Sequence, residues 1–250
     1  MLTLAFFPWL QLKEEYRFPD FQILSYQRGS FPGSTPSEQK AIDDALSSYH
    51  ARTGRPLDRA SILQHRSQST PTAELNTAYR ADLVVYADLI AFAGLSARTF
   101  FNPLCYSNRD AFRLVVQDIP ESARNLLITS RRRDGETNLC YMDGSYIARP
   151  PEHVMQDHAP LDPTVLVALL EAQAHDDWPE LFRAIALFNE ANTDRAEIPI
   201  ATEVILTYAA LEQALGVAGK PVNKVAMAFE NEFKPSEPLP NKDWFDPQRD

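Results

Sequence analysis

At 250 residues, 44% hydrophobic and 10% aromatic, the chain holds enough apolar material for one large core or two ordinary ones, which excludes a disordered protein. Two cysteines, Cys105 and Cys140, with no CxxC pair and no histidine cluster beside them, fit neither a disulfide framework nor a standard zinc site, and they favour a reducing cytoplasm. The net charge of −10 is uneven: residues 1–150 carry 17 basic and 16 acidic side chains and residues 151–250 carry 7 and 18, so the second part repels polyanions and the first does not.

The run from Leu2 to Phe7 is apolar, but it lacks a basic start and meets Pro8 and Lys13 too early for a signal peptide or a membrane span. It reads as a buried strand, no membrane partner is expected, and the cytoplasm is the expected location. Phe21 to Tyr26 has strand composition. Thr35-Pro36-Ser37-Glu38 is a capping box with proline at the first helical position. Ala41, Ile42, Ala45, Leu46 and Tyr49 then recur at helical spacing, which predicts a helix over 36–51. Ala60 to His65 is a weaker strand, bounded by Pro56 and the polar run 67–70, and the order becomes β-β-α-β.

Leu75, Tyr79, Leu83, Tyr86, Ile90 and Ala93 fall on one helical face that ends at Gly94, where a left-handed cap is expected. The period then changes. Residues 112–119, 125–132, 137–142 and 145–148 are short strand-like runs, and the turns Asp134-Gly135 and Asp143-Gly144 separate the last three. This predicts an antiparallel meander packed against the preceding helices.

Proline and polar residues over 149–163 mark the expected boundary between a mixed α/β domain over 1–150 and an acidic helical region over 151–250. Asp162-Pro163 caps a predicted helix over 163–174, and Asp177-Trp178-Pro179-Glu180 resembles a capping box for another over 178–191. A third helix carries Ile200, Val204, Tyr208, Leu211 and Leu215 on one stripe and stops at Gly216; a shorter one covers 221–233, and four prolines make 234–247 an extended loop. Such faces must bury against one another, so the fold class is α+β, with a C-terminal helical bundle.

The string Glu203-Val204-Ile205-Leu206-Thr207-Tyr208-Ala209-Ala210-Leu211-Glu212-Gln213-Ala214-Leu215-Gly216, with the preceding Leu187-Phe188-Asn189-Glu190-Ala191-Asn192, resembles a helix of Apea-like HEPN domains. Phe6-Phe7-Pro8-Trp9, Phe100-Phe101-Asn102 and Arg131-Arg132-Arg133-Asp134-Gly135 resemble the N-terminal regions that accompany such domains in bacterial proteins. The resemblance implies an all-α bundle that dimerises and, in active members, cleaves RNA without metal through an Arg-x4-6-His motif late in the domain. The histidine moves the 2′-hydroxyl proton and the arginine holds the phosphate. No histidine follows His175 here, so the motif is not completed. The bundle is therefore expected to be truncated, with its catalytic pair beyond residue 250, or to belong to a degenerate relative.

Among candidate site residues, Arg131, Arg132 and Arg133 form the one concentrated basic feature, at the mouth of a predicted hairpin where guanidiniums can meet RNA phosphates; charge that keeps a sheet edge unpaired is the plainer reading. Arg113, Arg124 and Arg149 are expected on neighbouring strands. Glu212 draws interest from the resemblance, which places an acidic residue there; by itself a helix glutamate is solvated. Arg59 and His65 match Arg-x5-His, but on a predicted strand, and they read as a chance pattern of surface or edge groups. His153, His158 and His175 with Asp157, Asp176 and Asp177 lack metal-site spacing, and no metal is expected. With eight glycines and no phosphate loop, GxSxG or HExxH, no cofactor is expected either. Three roles follow as expectations: a sensor or interaction module of a bacterial defence or stress protein, homodimeric through its C-terminal helices; a metal-independent ribonuclease; or a nucleic-acid binder through Arg131 to Arg133.

Overall fold

Apolar residues on both faces of a strand mark a sheet covered on both sides, and Leu4, Ala5, Phe6 and Phe7 are all fully buried. In the computed structural model their strand, β1 (Leu2–Phe7), lies at the centre of a seven-stranded antiparallel sheet of order β2-β3-β4-β1-β5-β6-β7. The other strands are β2 (Tyr16–Arg17), β3 (Phe21–Gln27), β4 (Arg59–His65), β5 (Val115–Ile119), β6 (Leu126–Arg131) and β7 (Thr137–Met142). The structure describes residues 2–12, 14–30, 35–70, 76–96, 109–119, 126–131, 137–142, 147–150, 161–193, 199–220 and 222–233. The chain divides into two compact units, Met1–Leu169 and Leu170–Asp250.

Helix α1 (Pro36–Leu46) covers one sheet face. Its Ile42, Ala45 and Leu46 share a core with Leu4, Phe6, Leu24, Tyr26, Ile62 and Val115. The capping box forms as the sequence predicts: the Glu38 N–H donates to Thr35 Oγ1 at 3.2 Å and the Thr35 N–H donates to Glu38 Oε2 at 2.8 Å, a motif worth about 1 kcal/mol. The helix stops at Leu46, short of the expected 51, because the next residues pair instead: Tyr49 bridges Ala148, and His50 bridges Pro56. Tyr49 is still buried, edge-on to Phe6 and Trp9.

Helix α2 (Thr77–Leu95) covers the other face. Alternation puts Thr3, Phe21, His65 and Asp118 on that side, and there Tyr86 stacks on Phe21, Tyr79 on His65, and Arg80 pairs with Asp118. Asn76 caps the helix by accepting the Tyr79 N–H at 2.9 Å. At the far end Gly94 is not a left-handed cap; the helix runs through it to Leu95, and the ring of Phe112, in a 3-10 turn over Arg109–Phe112, occupies the space a Cβ on Gly94 would need.

The predicted meander is present, β5, β6 and β7 pairing in chain order, with strand ends inside the expected ranges. Of the run 145–148, residues 147 and 148 are described, and Ala148 bridges Tyr49. Both Asp-Gly pairs lie outside the described residues, as do 234–250. The two-residue β2 was not foreseen.

Helix α3 (Pro163–Ala172) starts on Asp162, whose carboxylate accepts the Thr164 N–H at 2.9 Å, as its sequence suggests. The second unit holds α4 (Trp178–Ala191), α5 (Ile200–Ala214) and α6 (Val222–Phe233). Asp177 makes no side-chain capping bond, so the expected box at α4 is absent. Gly216 has a φ of +64°, the left-handed stop foreseen after α5. The molecule is α+β, with α4 and α5 packed along each other.

Candidate functional site

The predicted stripe on α5 divides along the helix: Ile200 and Val204 face solvent, while Tyr208, Leu211 and Leu215 are partly buried. Ile200 and Val204 are 78% and 62% exposed, and Ile205 beside them 66%. Ala210 is the buried position of the helix, with Leu206 and Gln213 partly covered four and three residues to either side. Its exposed positions, Ile200, Ala201, Thr202, Val204, Ile205, Thr207 and Ala214, carry no charge. The two acidic residues of α5, Glu203 and Glu212, are partly buried. Glu212 lies one turn beyond Tyr208, and burial first, then the Glu212 carboxylate, push the Tyr208 phenol up.

Of the three arginines singled out, Arg131 is the last residue of β6 and pairs with Thr137, the first of β7; Arg132 and Arg133 lie outside the described residues. Arg113 and Arg149 are exposed, and Arg124, His153, Asp157 and His158 lie outside the described residues. His175, Asp176 and Asp177 are exposed in the turn before α4, and no group of three or more His, Cys, Asp or Glu side chains among the described residues is placed to hold a metal. A shallow groove of about 430 Å³ beside α6 is lined by Val217, Lys220, Lys224, Met227, Ala228 and Asn231, none of them buried. No helix among the described residues is long and apolar enough to cross a membrane.

Arg59 and His65 stand at opposite ends of one strand, about 20 Å apart at roughly 3.3 Å per residue, so one phosphate cannot engage both. Arg59 is exposed as expected. His65 is not an edge group: it is 8% exposed, and its ring lies 4.4 Å, centroid to centroid, from Tyr79 and 6.3 Å from Tyr86. The strand ends in a tight turn after it, where the Gln68 N–H donates to the His65 carbonyl and Gln68 Oε1 accepts the His65 N–H.

The turn fixes the imidazole. The backbone N–H of Ser67 donates to His65 Nδ1 at 3.0 Å, and because a backbone amide can only donate, Nδ1 is the acceptor and the proton sits on Nε2. Nε2 faces Asp82 Oδ2 at 3.7 Å, and Ser67 Oγ lies 2.6 Å from Nδ1. Asp82 comes from α2, one turn after Tyr79, so the helix that stacks a ring on His65 also brings the carboxylate. On the same face, burial, then Asp20 and Asp82, push the Tyr86 phenol up to about 12. Ser67 and Asp82 were not foreseen, because their approach depends on β4 lying under α2, which no local spacing encodes.

Deeper on the same face, Asp118 Oδ1 accepts from Thr3 Oγ1 at 2.8 Å and from the Arg80 guanidinium, and Arg80 also donates to Thr3 at 3.3 Å. The set ties α2 to β1 and β5. Comparison with family models, with curated proteins and with solved structures finds no match.

Proposed function

We propose that this chain is an interaction module of the HEPN-like kind, working as a homodimer that meets through α5, with its α/β unit as the recognition part. The carrying observation is the exposed, uncharged face of α5 at Ile200, Val204 and Ile205 within a strongly acidic region. Two copies of an acidic body repel wherever carboxylates oppose one another, and this face is a place where they meet without doing so. A two-fold axis across the helix would set the same residues against each other, as an isologous contact requires.

Magnitudes support a weak dimer. Six large aliphatic side chains at about 1.5–3 kcal/mol each when fully buried sum to about 9–18 kcal/mol, which offsets an association cost of about 4–15 kcal/mol with little to spare. Replacing Val204 and Ile205 together by glutamate tests this: self-association is lost while the urea unfolding midpoint stays within error, since neither side chain is buried in the fold. Loss of the fold itself, or an unchanged association constant, would count against the reading.

The sequence holds no histidine after His175, so no ribonuclease step is assigned to it. A second reading, nucleic-acid binding through Arg131, Arg132 and Arg133, draws on the pairing of Arg131 with Thr137, the last ladder pair of the hairpin at one edge of the sheet.

A further inference from the structure

We infer that the groove beside α6 is the docking site of this chain's own segment Asp243-Trp244-Phe245-Asp246, which folds back along the helix that precedes it. The inference is independent of the α5 contact, since no residue of that contact lines the groove.

Charge and ring chemistry select the occupant. Lys220, Lys224, Met227 and Asn231 follow one another at steps of 4, 3 and 4 residues, along one side of α6 and the turn leading into it, with Val217 and Ala228 beside them. Lys220 and Lys224 are exposed at one end of this row, and Met227, 52% exposed, offers its thioether further along. Residues 151–250 hold 7 basic side chains against 18 acidic ones, so a groove with two lysines is a locally basic place on an acidic body. A fitting occupant brings carboxylates for the ammonium groups and aromatic rings for the methionine, whose sulfur gains from ring contact. Trp244 and Phe245, flanked by Asp243 and Asp246, are that combination.

Reach and direction agree with it. From Lys224 to Phe233 the helix rises about 14 Å at about 1.5 Å per residue. A chain of the length of residues 234–242 spans about 17 Å when flexible and up to about 28 Å when extended, so Asp243 can return to Lys224. A segment running back along α6 brings Asp243 to Lys224 first and Asp246 to Lys220 beyond it, with Trp244 and Phe245 over Val217, Met227 and Ala228. The tether holds the segment at about millimolar effective concentration, so a contact too weak for two separate molecules is largely formed within one.

The test is chymotrypsin on the full chain, reading cleavage after Trp244 and Phe245 by mass spectrometry against the rate for the free peptide 234–250 of the same sequence. No other aromatic residue lies in that peptide, so the cut reports this site. The expected result is about 10-fold protection, lost in Lys220→Glu/Lys224→Glu, where like charges oppose one another, and regained when Asp243→Lys/Asp246→Lys is added. Protection that holds on dilution through the micromolar range upholds docking within one chain; protection that falls on dilution gives the groove to a second copy's segment and overturns the inference. Full-chain rates equal to the peptide's, protection unaltered in Lys220→Glu/Lys224→Glu, or a charge swap that restores nothing also overturn it. Should the lysine variant lose cooperative unfolding, Asp243→Lys/Asp246→Lys alone decides: lost protection upholds the inference and retained protection overturns it.

Discussion

The ring of Phe112 stands well inside the ordinary carbon contact of about 3.5–4 Å from where a Cβ on Gly94 would be. Glycine in a helix costs up to about 1 kcal/mol relative to alanine, so Gly94→Ala would stabilise an open site. Here overpacking, at about 1–3 kcal/mol, wins because Phe112 is itself buried and cannot swing away. Gly94→Ala is predicted to lower stability by about 1–2 kcal/mol in urea unfolding, and to be nearly neutral in a Phe112→Leu background, where the ring is gone. The sequence marks Gly94 as special but not why: a cap and a close approach look alike along the chain, and the ring comes from a turn beyond residue 108. Gln117 is the opposite case. Fully buried on the α1 side of β5, with neither amide atom hydrogen-bonded among the described residues, it bears an unreturned desolvation cost of about 1–3 kcal/mol. Gln117→Leu is predicted to raise the urea midpoint; a lower midpoint would mean that the amide has a partner worth keeping.

At the scale of elements, most of the secondary structure is legible because its signals are local. The Thr35 box, the Asp162 cap, the Gly216 stop and the period-two runs of β3, β4 and β7 each specify themselves within a few residues. What is not local is misread. Tyr49 belongs to the core, as its spacing says, but reaches it through a bridge to Ala148 rather than through a longer helix. On α5, apolar spacing identifies a stripe whose second half, Tyr208, Leu211 and Leu215, is partly buried and whose first half, Ile200 and Val204, is exposed, since periodicity cannot say whether a face meets its own chain or another. His65 is read as an edge group because only the fold lays Tyr79 over it. The β6–β7 pair carries its own prediction: if Arg131, Arg132 and Arg133 bind phosphates, replacing all three by alanine weakens single-stranded RNA binding and flattens its dependence on salt by about two to three counterions. Filter binding across a salt series checks this, and an unchanged slope would discard the second reading.

For the whole molecule, the two units differ in how fully they satisfy themselves. In the first, a helix covers each face of the central strands, and Arg80, Asp118 and Thr3 bond to one another. In the second, α5 packs along α4 yet turns Ile200, Val204 and Ile205 to solvent. The account therefore rests most directly on the mass of the unaltered protein in solution. Light scattering over a concentration series through the micromolar range is predicted to show the mass rising from the 28.2 kDa of one chain towards twice that value, reversibly on dilution. A mass that stays at one chain up to the highest concentration would contradict it.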